Sequence, residues 1–141
     1  TLPYQAGTLR AVGVDENGIE QETVVLKTSG TPVSLRLTTQ DQTIKADGQD
    51  LAFVIIEVVD KNGNVVPETS LPVKIECTGK GTVIAGGNAA YADMESFRSL
   101  TPNTFRGKAI AIVQPDGEKG DIQVKVSAKG LEDASIVITA Y

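Results

Sequence analysis

Acidic side chains are the most numerous groups in this sequence that could do chemistry. The 141 residues include 18 Asp and Glu against 13 Lys and Arg, which gives a formal net charge of -5. Two carboxyl groups roughly 5 to 10 Å apart in a concave site can act as acid and as nucleophile or base, provided that burial raises the pKa of one of them. The candidates nearly all fall on predicted strand exteriors or turns, where acidic residues ordinarily provide solubility and protect sheet edges: Glu57, Asp60, Glu68, Glu76, Asp93, Glu95, Glu118, Asp121, Glu132 and Asp133. We therefore predict no catalytic carboxylate.

A second class of chemistry would use a nucleophile activated by a base. Cys77 is the one cysteine, and the sequence contains no histidine. This composition excludes Ser/His/Asp and Cys/His catalysis and removes the commonest metal ligand. A lone cysteine on the apolar side of a strand is most often a small buried hydrophobe. We expect Cys77 to have that role.

Three turns contain the oxygen atoms that Ca²⁺ prefers as ligands. They read DENG, DKNGN and PDGEKGD, and none follows the D-x-[DN]-x-[DN]-G-x₅-E pattern of a calcium loop. Asp, Asn and Gly also occur in such turns because they tolerate left-handed backbone geometry. We expect neither metal nor cofactor. Calcium is the alternative, and a calcium-dependent rise in melting temperature would support it.

The irregular segment from residue 86 to residue 104, GGNAAYADMESFRSLTPNT, holds the best candidates for a binding site. A loop of this length in a compact domain is either functional or packed as an Ω-type excursion. Tyr91, Phe97 and Arg98 are the candidates for contact with a glycan or with another domain. We favour a structural alternative, in which Phe97 and Met94 close one end of the fold and Arg98 pairs with a carboxylate. The run ADMESFRSL predicts one helical turn capped by Asp93.

These side chains would be positioned by β-strands. In ADGQDLAFVIIEVVDKNGNVVP, residues 46–67, alternation places Ala52, Val54, Ile56 and Val58 inward and Glu57 outward. Other runs alternate in the same way: Val33, Leu35 and Leu37; Val73, Ile75 and Cys77; Ala109, Ala111 and Val113; Ile122, Val124, Val126 and Ala128. Two further strands are expected at 82–85 and 134–140. Seven or so strands separated by Gly, Pro, Asn and Asp predict an all-β, immunoglobulin-like antiparallel β-sandwich. The absence of Trp and of a cysteine pair excludes the antibody type.

An extra β-hairpin precedes this sandwich. TLRAVGV at 8–14 and TVVLK at 23–27 flank the turn DENG, and TSGTP at 28–32 is typical of a linker. We place a domain boundary here, with the hairpin in residues 1–30 and the sandwich in residues 31–141. An isolated hairpin is marginal in water, so it should pack on the sandwich, exchange with another copy or stay loosely ordered.

Composition excludes several partners. No apolar run approaches the roughly 20 residues that span a bilayer, so we predict no membrane insertion. The net charge of -5 also argues against nucleic acid as a partner, because phosphate binding relies on clustered Lys and Arg. The chain begins TLPYQAG, without a signal peptide or an initiator Met, and we expect a mature product or an excised fragment.

Two sets of motifs resemble known families. The stretch ADGQDLAFVIIEVVDKNGNVVP resembles the bacterial immunoglobulin-like repeats of invasin and intimin. In addition, YQAGTLRAVGVDENG, that strand, GTVIAGGNA, DMESFRSLTPNTFRGKAIAIVQP and a final strand occur in an order similar to the C-terminal region of glycoside hydrolase family two proteins, the β-galactosidase group. The second resemblance covers nearly the whole chain.

The second resemblance implies a non-catalytic accessory module of a secreted glycosidase. It implies that the hairpin is the tail of a preceding small β domain, that the catalytic barrel lies upstream, and that the location is periplasmic or extracellular. Partners would be the upstream domains, with a glycan and self-association through the hairpin as further candidates. Two alternatives stay open: a carbohydrate-binding module, disfavoured by the 4% aromatic content and the lack of Trp, and an adhesin or stalk repeat, for which a second copy of the ADGQD…DKNGN motif would be needed.

Overall fold

The computed structural model describes Pro3 and residues 5–141, and in this part of the chain the regular elements are all β-strands. Tyr4, an aromatic residue near the N-terminus, lies outside the described residues. The described residues form ten strands: β1 Thr8–Val14, β2 Glu20–Lys27, β3 Pro32–Thr39, β4 Thr43–Ile44, β5 Ala52–Asp60, β6 Lys74–Gly79, β7 Gly81–Gly87, β8 Lys108–Pro115, β9 Gly120–Ser127 and β10 Ala134–Ala140. Among the described residues no helix is long and apolar enough to cross a membrane.

Eight of the strands form two four-stranded sheets that pack face to face. Sheet I has the order β3-β5-β8-β7, and sheet II has the order β4-β10-β9-β6. Strands β1 and β2 form the separate N-terminal hairpin. The predicted immunoglobulin-like sandwich with an extra hairpin is therefore confirmed. The two-residue strand β4 was not predicted, and it pairs in parallel with β10 through Thr43 and Ile44.

The core lies between the inward faces of the two sheets. Most of the side chains predicted to point inward are fully buried, since Ala52, Val54, Ile56, Val58, Val73, Ala111, Val113, Ile122, Val124 and Val126 are each 0% exposed. Ile75 and Ala109 are buried as well, while Cys77 and Ala128 are partly buried against the core. Full burial of one Val or Ile side chain contributes about 1.5 to 3 kcal/mol, so this set supplies most of the driving force for folding.

The prediction for Val33 was wrong. Leu35 is buried and Leu37 is half-buried, but Val33 is exposed. The pairing of β3 with β5 shifts register between Pro32 and Ser34, and this irregularity turns the Val33 side chain outward. The backbone at this point instead closes one side of the sandwich, because Glu132 N donates to Val33 O and Leu35 N donates to Glu132 O.

Asp60 joins the linker to the end of β5. Its carboxylate accepts hydrogen bonds from Gly30 N at 2.8 Å and, in the predicted DKNGN turn, from Asn62 N and Asn64 N. Gly63 completes this turn with a φ of 77°, a conformation that disfavours side chains. The hairpin thus enters the sandwich at the end of sheet I where β3 begins.

The hairpin is formed but does not bury itself on the sandwich. Residues opposite each other in β1 and β2 share a face, and one face carries Leu9, Ala11, Val24 and Leu26. Leu9, Val24 and Leu26 are 52%, 60% and 62% exposed. The expectation that the hairpin packs on the sandwich is therefore wrong. The apolar face of the hairpin is not covered by any part of the described chain.

Candidate functional site

The β7–β8 connection runs along the gap between the two sheets. Gly86 N in β7 donates to Phe97 O at 2.7 Å, Ile75 N in β6 donates to Leu100 O at 2.8 Å, and Val73 N donates to Pro102 O at 3.0 Å. Strands β6 and β7 are the edges of sheets II and I. The connection therefore pairs with part of each edge, at Gly86 of β7 and at Ile75 of β6, and keeps those backbone groups from pairing with another chain.

The predicted helical turn in this connection was wrong. Residues 91–100 contain turns and bends but no helical residue. Asp93 caps a turn instead, because its Oδ1 accepts a hydrogen bond from Glu95 N at 2.9 Å. The hydrogen bond from Glu95 N and that from the Asn88 side chain hold the pKa of Asp93 below its usual range. Asp93 is thus an ionised group committed to the loop's own structure.

The predicted plug made of Phe97 and Met94 was also wrong. Met94 is 95% exposed and Phe97 is 69% exposed. The Phe97 ring lies outside the sandwich over Gly87, where a Cβ atom would come within 2.7 Å of Phe97 Cδ1. Gly87 therefore provides the flat backbone surface on which the ring rests.

The two other sequence candidates also face solvent. Tyr91 is 100% exposed. Arg98 is exposed, and among the described residues no carboxylate forms an ion pair with it, so the predicted pairing of Arg98 was wrong. The structure thus places Tyr91, Phe97 and Arg98 on one loop, with only Phe97 resting on the sandwich.

The cavity beside the Phe97 ring is too small to enclose a sugar. The cavity beside Phe97 has a volume of about 30 Å³ and is lined by Asn88, Asp93 and Glu95 together with the glycines of β7. This volume accommodates a water molecule or two, whereas ligand pockets span about 300 to 1,000 Å³. The loop offers exposed rings to a glycan or to another protein surface. Its Thr101 also lines an open groove of about 450 Å³ beside Pro72, Lys74 and Lys129, away from Tyr91, Phe97 and Arg98.

None of the acidic residues with a shifted pKa is suited to act as a general acid. Each acidic side chain whose pKa departs from its ordinary value in the described structure has a lowered pKa: Asp15, Asp47, Glu57, Asp60, Glu76 and Asp93. The hydrogen bond from Gly30 N is the largest cause that lowers the pKa of Asp60 to about 2. A general acid needs a raised pKa to hold its proton near neutral pH. These carboxylates accept hydrogen bonds and cannot donate a proton.

The Asp-rich turns and Cys77 have structural roles as well. Asp15 Oδ1 accepts hydrogen bonds from Asn17 N and Ile19 N, and Asp116 Oδ1 accepts one from Glu118 N. No group of three acidic or cysteine side chains that could hold a metal occurs in Pro3 and residues 5–141. Burial raises the pKa of the Cys77 thiol, which keeps it protonated and poorly nucleophilic.

Glu57 points away from the core, as predicted, but it is not solvated. It is 8% exposed because it lies between Arg36 on β3 and Lys108 on β8. Arg36 Nη2 is 2.7 Å from Glu57 Oε2, and Lys108 Nζ is 2.9 Å from Glu57 Oε1. Burial by itself would raise the pKa of Glu57, but the hydrogen bonds and charges of Lys108 and Arg36 outweigh it and lower the pKa.

Arg36, Glu57 and Lys108 form a charged row across the outer face of sheet I. Beyond this charged row the centre of the outer face is apolar, a feature that the sequence analysis did not predict. Two cross-strand pairs occupy its centre: Phe53 with Ile112, and Ile55 with Ile110. Phe53 is 47% exposed, and the three isoleucines are half-buried. A signal was present, because β5 reads AFVIIEVVD and is apolar at both alternating positions, as in strands covered on both faces.

Comparison with known proteins places this architecture in a family. The sequence model of the family described as glycoside hydrolase family 2 C-terminal domain 5 matches residues 35–137 of this chain. The chain belongs to this family. The matched region takes in most of both sheets and the β7–β8 connection.

Relatives of this family 2 C-terminal domain are much longer proteins. A β-galactosidase of Bacteroides ovatus is 30% identical over 139 residues, which are 99% of this chain and 16% of that enzyme. A β-glucuronidase of Formosa agariphila is 26% identical over 139 residues, which are 97% of this chain and 14% of that enzyme. The chain therefore spans less than a fifth of the length of these relatives.

Solved structures match the hairpin as well as the sandwich. A crystal structure of a family 2 member from Bacteroides cellulosilyticus has a TM-score of 0.91 at 33% identity and covers 99% of this chain and 18% of that one. The D00-D0 domain of intimin has a TM-score of 0.58 at 17% identity, over 97% of this chain and 66% of that one. At that identity, the likeness to intimin concerns the fold alone.

Proposed function

We propose that this chain is the non-catalytic accessory module at the C-terminal end of a larger, β-galactosidase-like glycoside hydrolase. The observation that carries the proposal is the match of a family 2 C-terminal domain to residues 35–137, combined with relatives of which the chain spans less than a fifth. The module's work is structural: it covers a neighbouring domain and shapes access to an active site located elsewhere. An invasin-type sandwich and a periplasmic or extracellular location are parts of the proposal that rest on the sequence resemblance.

The state of the carboxylates supports a non-catalytic role. Hydrolysis of a glycoside needs one protonated and one ionised carboxyl group beside the bond that breaks. The two buried acidic residues of the described chain, Glu57 and Asp60, are held ionised by cations and by backbone N–H groups. Neither one lines the cavity beside Phe97 or the groove beside Pro72.

The proposal is tested by assaying this chain and the full-length protein side by side. Nitrophenyl β-galactoside and nitrophenyl β-glucuronide are the substrates, because the relatives include enzymes with both names. The full-length protein should hydrolyse one of them, and the purified 141-residue chain should hydrolyse neither. Turnover by the chain that persists through repeated purification would contradict the non-catalytic role, and an inactive full-length protein would contradict the glycosidase parent.

The hairpin forms part of the same proposal, as the tail of a small β domain that precedes residue 31. Its apolar face would be covered by the earlier strands of that domain. Val24 lies on this face and is 60% exposed, while Val14 lies on the other face and is 59% exposed, so the two form a matched pair. In the full-length protein, Val24→Asp should destabilise the preceding domain by about 1.5 to 3 kcal/mol, because it places a charge where an apolar side chain is buried.

The control variant is Val14→Asp, which should leave the melting curve of the full-length protein unchanged. Equal effects of the two substitutions would argue against a covered face. A hairpin exchanged between two copies would be recognised by a melting temperature that falls on dilution.

Glycan contact by the β7–β8 connection is a second candidate function. The supporting observation is the exposure of the aromatic rings, 100% for Tyr91 and 69% for Phe97. Such contact would be through ring stacking on an open surface, assisted by Arg98. Affinity electrophoresis in gels that contain galactans should show a retardation that Tyr91→Ala and Phe97→Ala abolish, with Tyr141→Ala, at the chain's C-terminus, as the control. Migration that no polysaccharide alters would exclude it.

A further inference from the structure

The two outer faces of the sandwich differ in composition. The outer face of sheet II is polar, with residues that include Lys74, Glu76, Asp121, Gln123, Lys125, Ser135 and Thr139 around a single apolar residue, Val137. These side chains form pairs with one another, such as Lys74 with Glu76 at 2.8 Å and Thr139 with Asp121 at 3.0 Å. This is the pattern of a sheet whose outer face meets water.

The outer face of sheet I has the opposite character. Its centre is formed by four apolar side chains, which we call the sheet I patch: Phe53, Ile55, Ile110 and Ile112. Phe97 extends the apolar surface at the β7 edge, because its ring lies over Gly87, the residue opposite Ile110. A contiguous apolar surface bordered by polar residues marks an interaction site on a soluble protein.

The charged row borders the patch and carries an excess positive charge. Arg36 and Lys108 both pair with the one carboxylate of Glu57, so the three side chains sum to one positive charge. Lys108 and Arg36 are about half-exposed, at 56% and 43%. A surface that covers the patch and offers a carboxylate to this row would satisfy both features.

The position of the chain entry indicates what covers the patch. Residue Pro32 begins β3 opposite Asp60, at the end of sheet I next to the charged row. At about 3.3 Å per residue along a strand, Phe53 lies within roughly 25 Å of that entry point. The larger part of the related enzymes precedes the region that this chain matches, because the matching family is a C-terminal domain. The net charge of -5 opposes the alternative of a second copy of this chain.

We propose that the sheet I patch docks against the upstream part of the same polypeptide, on a surface that is apolar at its centre and presents a carboxylate to Lys108 and Arg36. The inference rests on the proposed function, since it requires a full-length protein that precedes this module. It specifies that the outer face of sheet I contacts the upstream part of the polypeptide, and that the outer face of sheet II is exposed to solvent.

Labelling of cysteine variants in the full-length protein tests this docking. Phe53 and Val137 are matched, because within this chain they are 47% and 48% exposed and lie on the outer faces of opposite sheets. The variants Phe53→Cys and Val137→Cys are reacted with N-ethylmaleimide, and modification is read at each site by peptide mass spectrometry. Each rate is divided by the rate at the same site in urea, which removes differences in intrinsic thiol reactivity.

Docking predicts that Phe53→Cys reacts at least about ten-fold more slowly than Val137→Cys, a ratio that corresponds to about 1.4 kcal/mol of protection. Ile112→Cys, directly across from Phe53, should be protected as well, which guards against a local disturbance at one site. Equal rates at the two faces would overturn the proposal. Protection of Phe53→Cys that disappears on dilution would also overturn it, in favour of a second copy.

A glycoside assay on the same preparations separates the two proposals. If the full-length protein hydrolyses its substrate but is labelled equally on both faces, the proposed function is supported and the docking surface is contradicted. If the full-length protein has no glycosidase activity but Phe53→Cys is protected from labelling, the docking surface is supported and the proposed function is contradicted.

Discussion

Replacement of Glu57 by Gln should destabilise the sandwich far more than the same change at Glu76. Both residues are glutamates on the outer face of a sheet, and each forms an ion pair across or along strands. They differ in burial and in the number of partners: the Glu57 side chain is 11% exposed and meets two cations, whereas that of Glu76 is 47% exposed and meets Lys74. The comparison therefore measures the combined effect of covering the carboxylate and of giving it a second cationic partner.

The magnitude follows from the positions of the partners. Removing one member of a fully buried pair costs about 3 to 5 kcal/mol, and an exposed pair contributes about 0.2 to 1 kcal/mol. Arg36 and Lys108 are half-exposed and can be solvated when Glu57 is lost. We expect Glu57→Gln to cost about 2 kcal/mol, or roughly 4 to 8 °C in melting temperature, and Glu76→Gln to cost less than about 0.5 kcal/mol.

The pH dependence provides an independent check with a definite sign. The pKa of Glu57 is lowered in the folded protein from its ordinary value of 4.5, so its ionised form stabilises the fold above that value. This contribution is lost as the pH falls through the lowered pKa. The difference between wild type and Glu57→Gln should therefore be full at pH 7 and vanish in acid.

Urea unfolding of the 141-residue chain, followed by circular dichroism at several pH values, measures the difference. A double-mutant cycle with Lys108→Met then gives the coupling of one of the two pairs. Equal losses for the Glu57 and Glu76 variants, or a Glu57 difference that does not change between pH 7 and pH 3, would refute the reasoning.

Three other substitutions test the linker and the β7–β8 connection. Asp60→Asn should loosen the junction with Gly30 and reduce the protection of the linker amides against hydrogen exchange. The difference in protection from wild type should shrink as the pH falls from the ordinary pKa of 3.8 towards the folded pKa of about 2. A difference that does not change with pH would contradict this expectation. Gly87→Ala should displace the Phe97 ring, whose Cδ1 would lie 2.7 Å from the new methyl group, and speed proteolysis of residues 88–99 while changing global stability by about 1 kcal/mol or less. Phe97→Ala should cost less than about 1 kcal/mol because the ring is 69% exposed, whereas a loss of 3 kcal/mol or more in urea unfolding would indicate a buried plug.

Most features of the fold that depend on local sequence were predicted correctly, and several features that depend on contacts between residues far apart in the sequence were not. Alternation is local, and it correctly assigned the inward side chains of β5, β6, β8 and β9, because a strand's two faces are set by the chain's own period of two. The bulge at Val33 and the two-residue strand β4 depend on partners far away in the chain. Thr43 and Ile44 pair with Thr139 and Ala140, and no local pattern records that pairing.

The candidate site was harder to predict because its parts are defined by register. Arg36, Glu57 and Lys108 are separated by 21 and 51 positions, and only the pairing of three strands brings them into one row. The β7–β8 connection was expected to act through its apolar side chains, yet it acts through its backbone, which pairs with Gly86 of β7 and Ile75 of β6. A sequence records which side chains are apolar, but it does not record which backbone groups a sheet leaves unpaired.

Strand β5 shows how one segment can carry both the fold and an interface. Its even-numbered residues from Ala52 to Val58 form the centre of the core, which any sandwich requires. Its odd-numbered residues Phe53 and Ile55 add nothing to that core, and water would favour polar residues at those positions, as on sheet II. Apolar side chains on the outer face lower solubility unless something covers them. Their presence on β5, one of the two central strands of sheet I, is the strongest sign in this chain that the module is built to be held from that side.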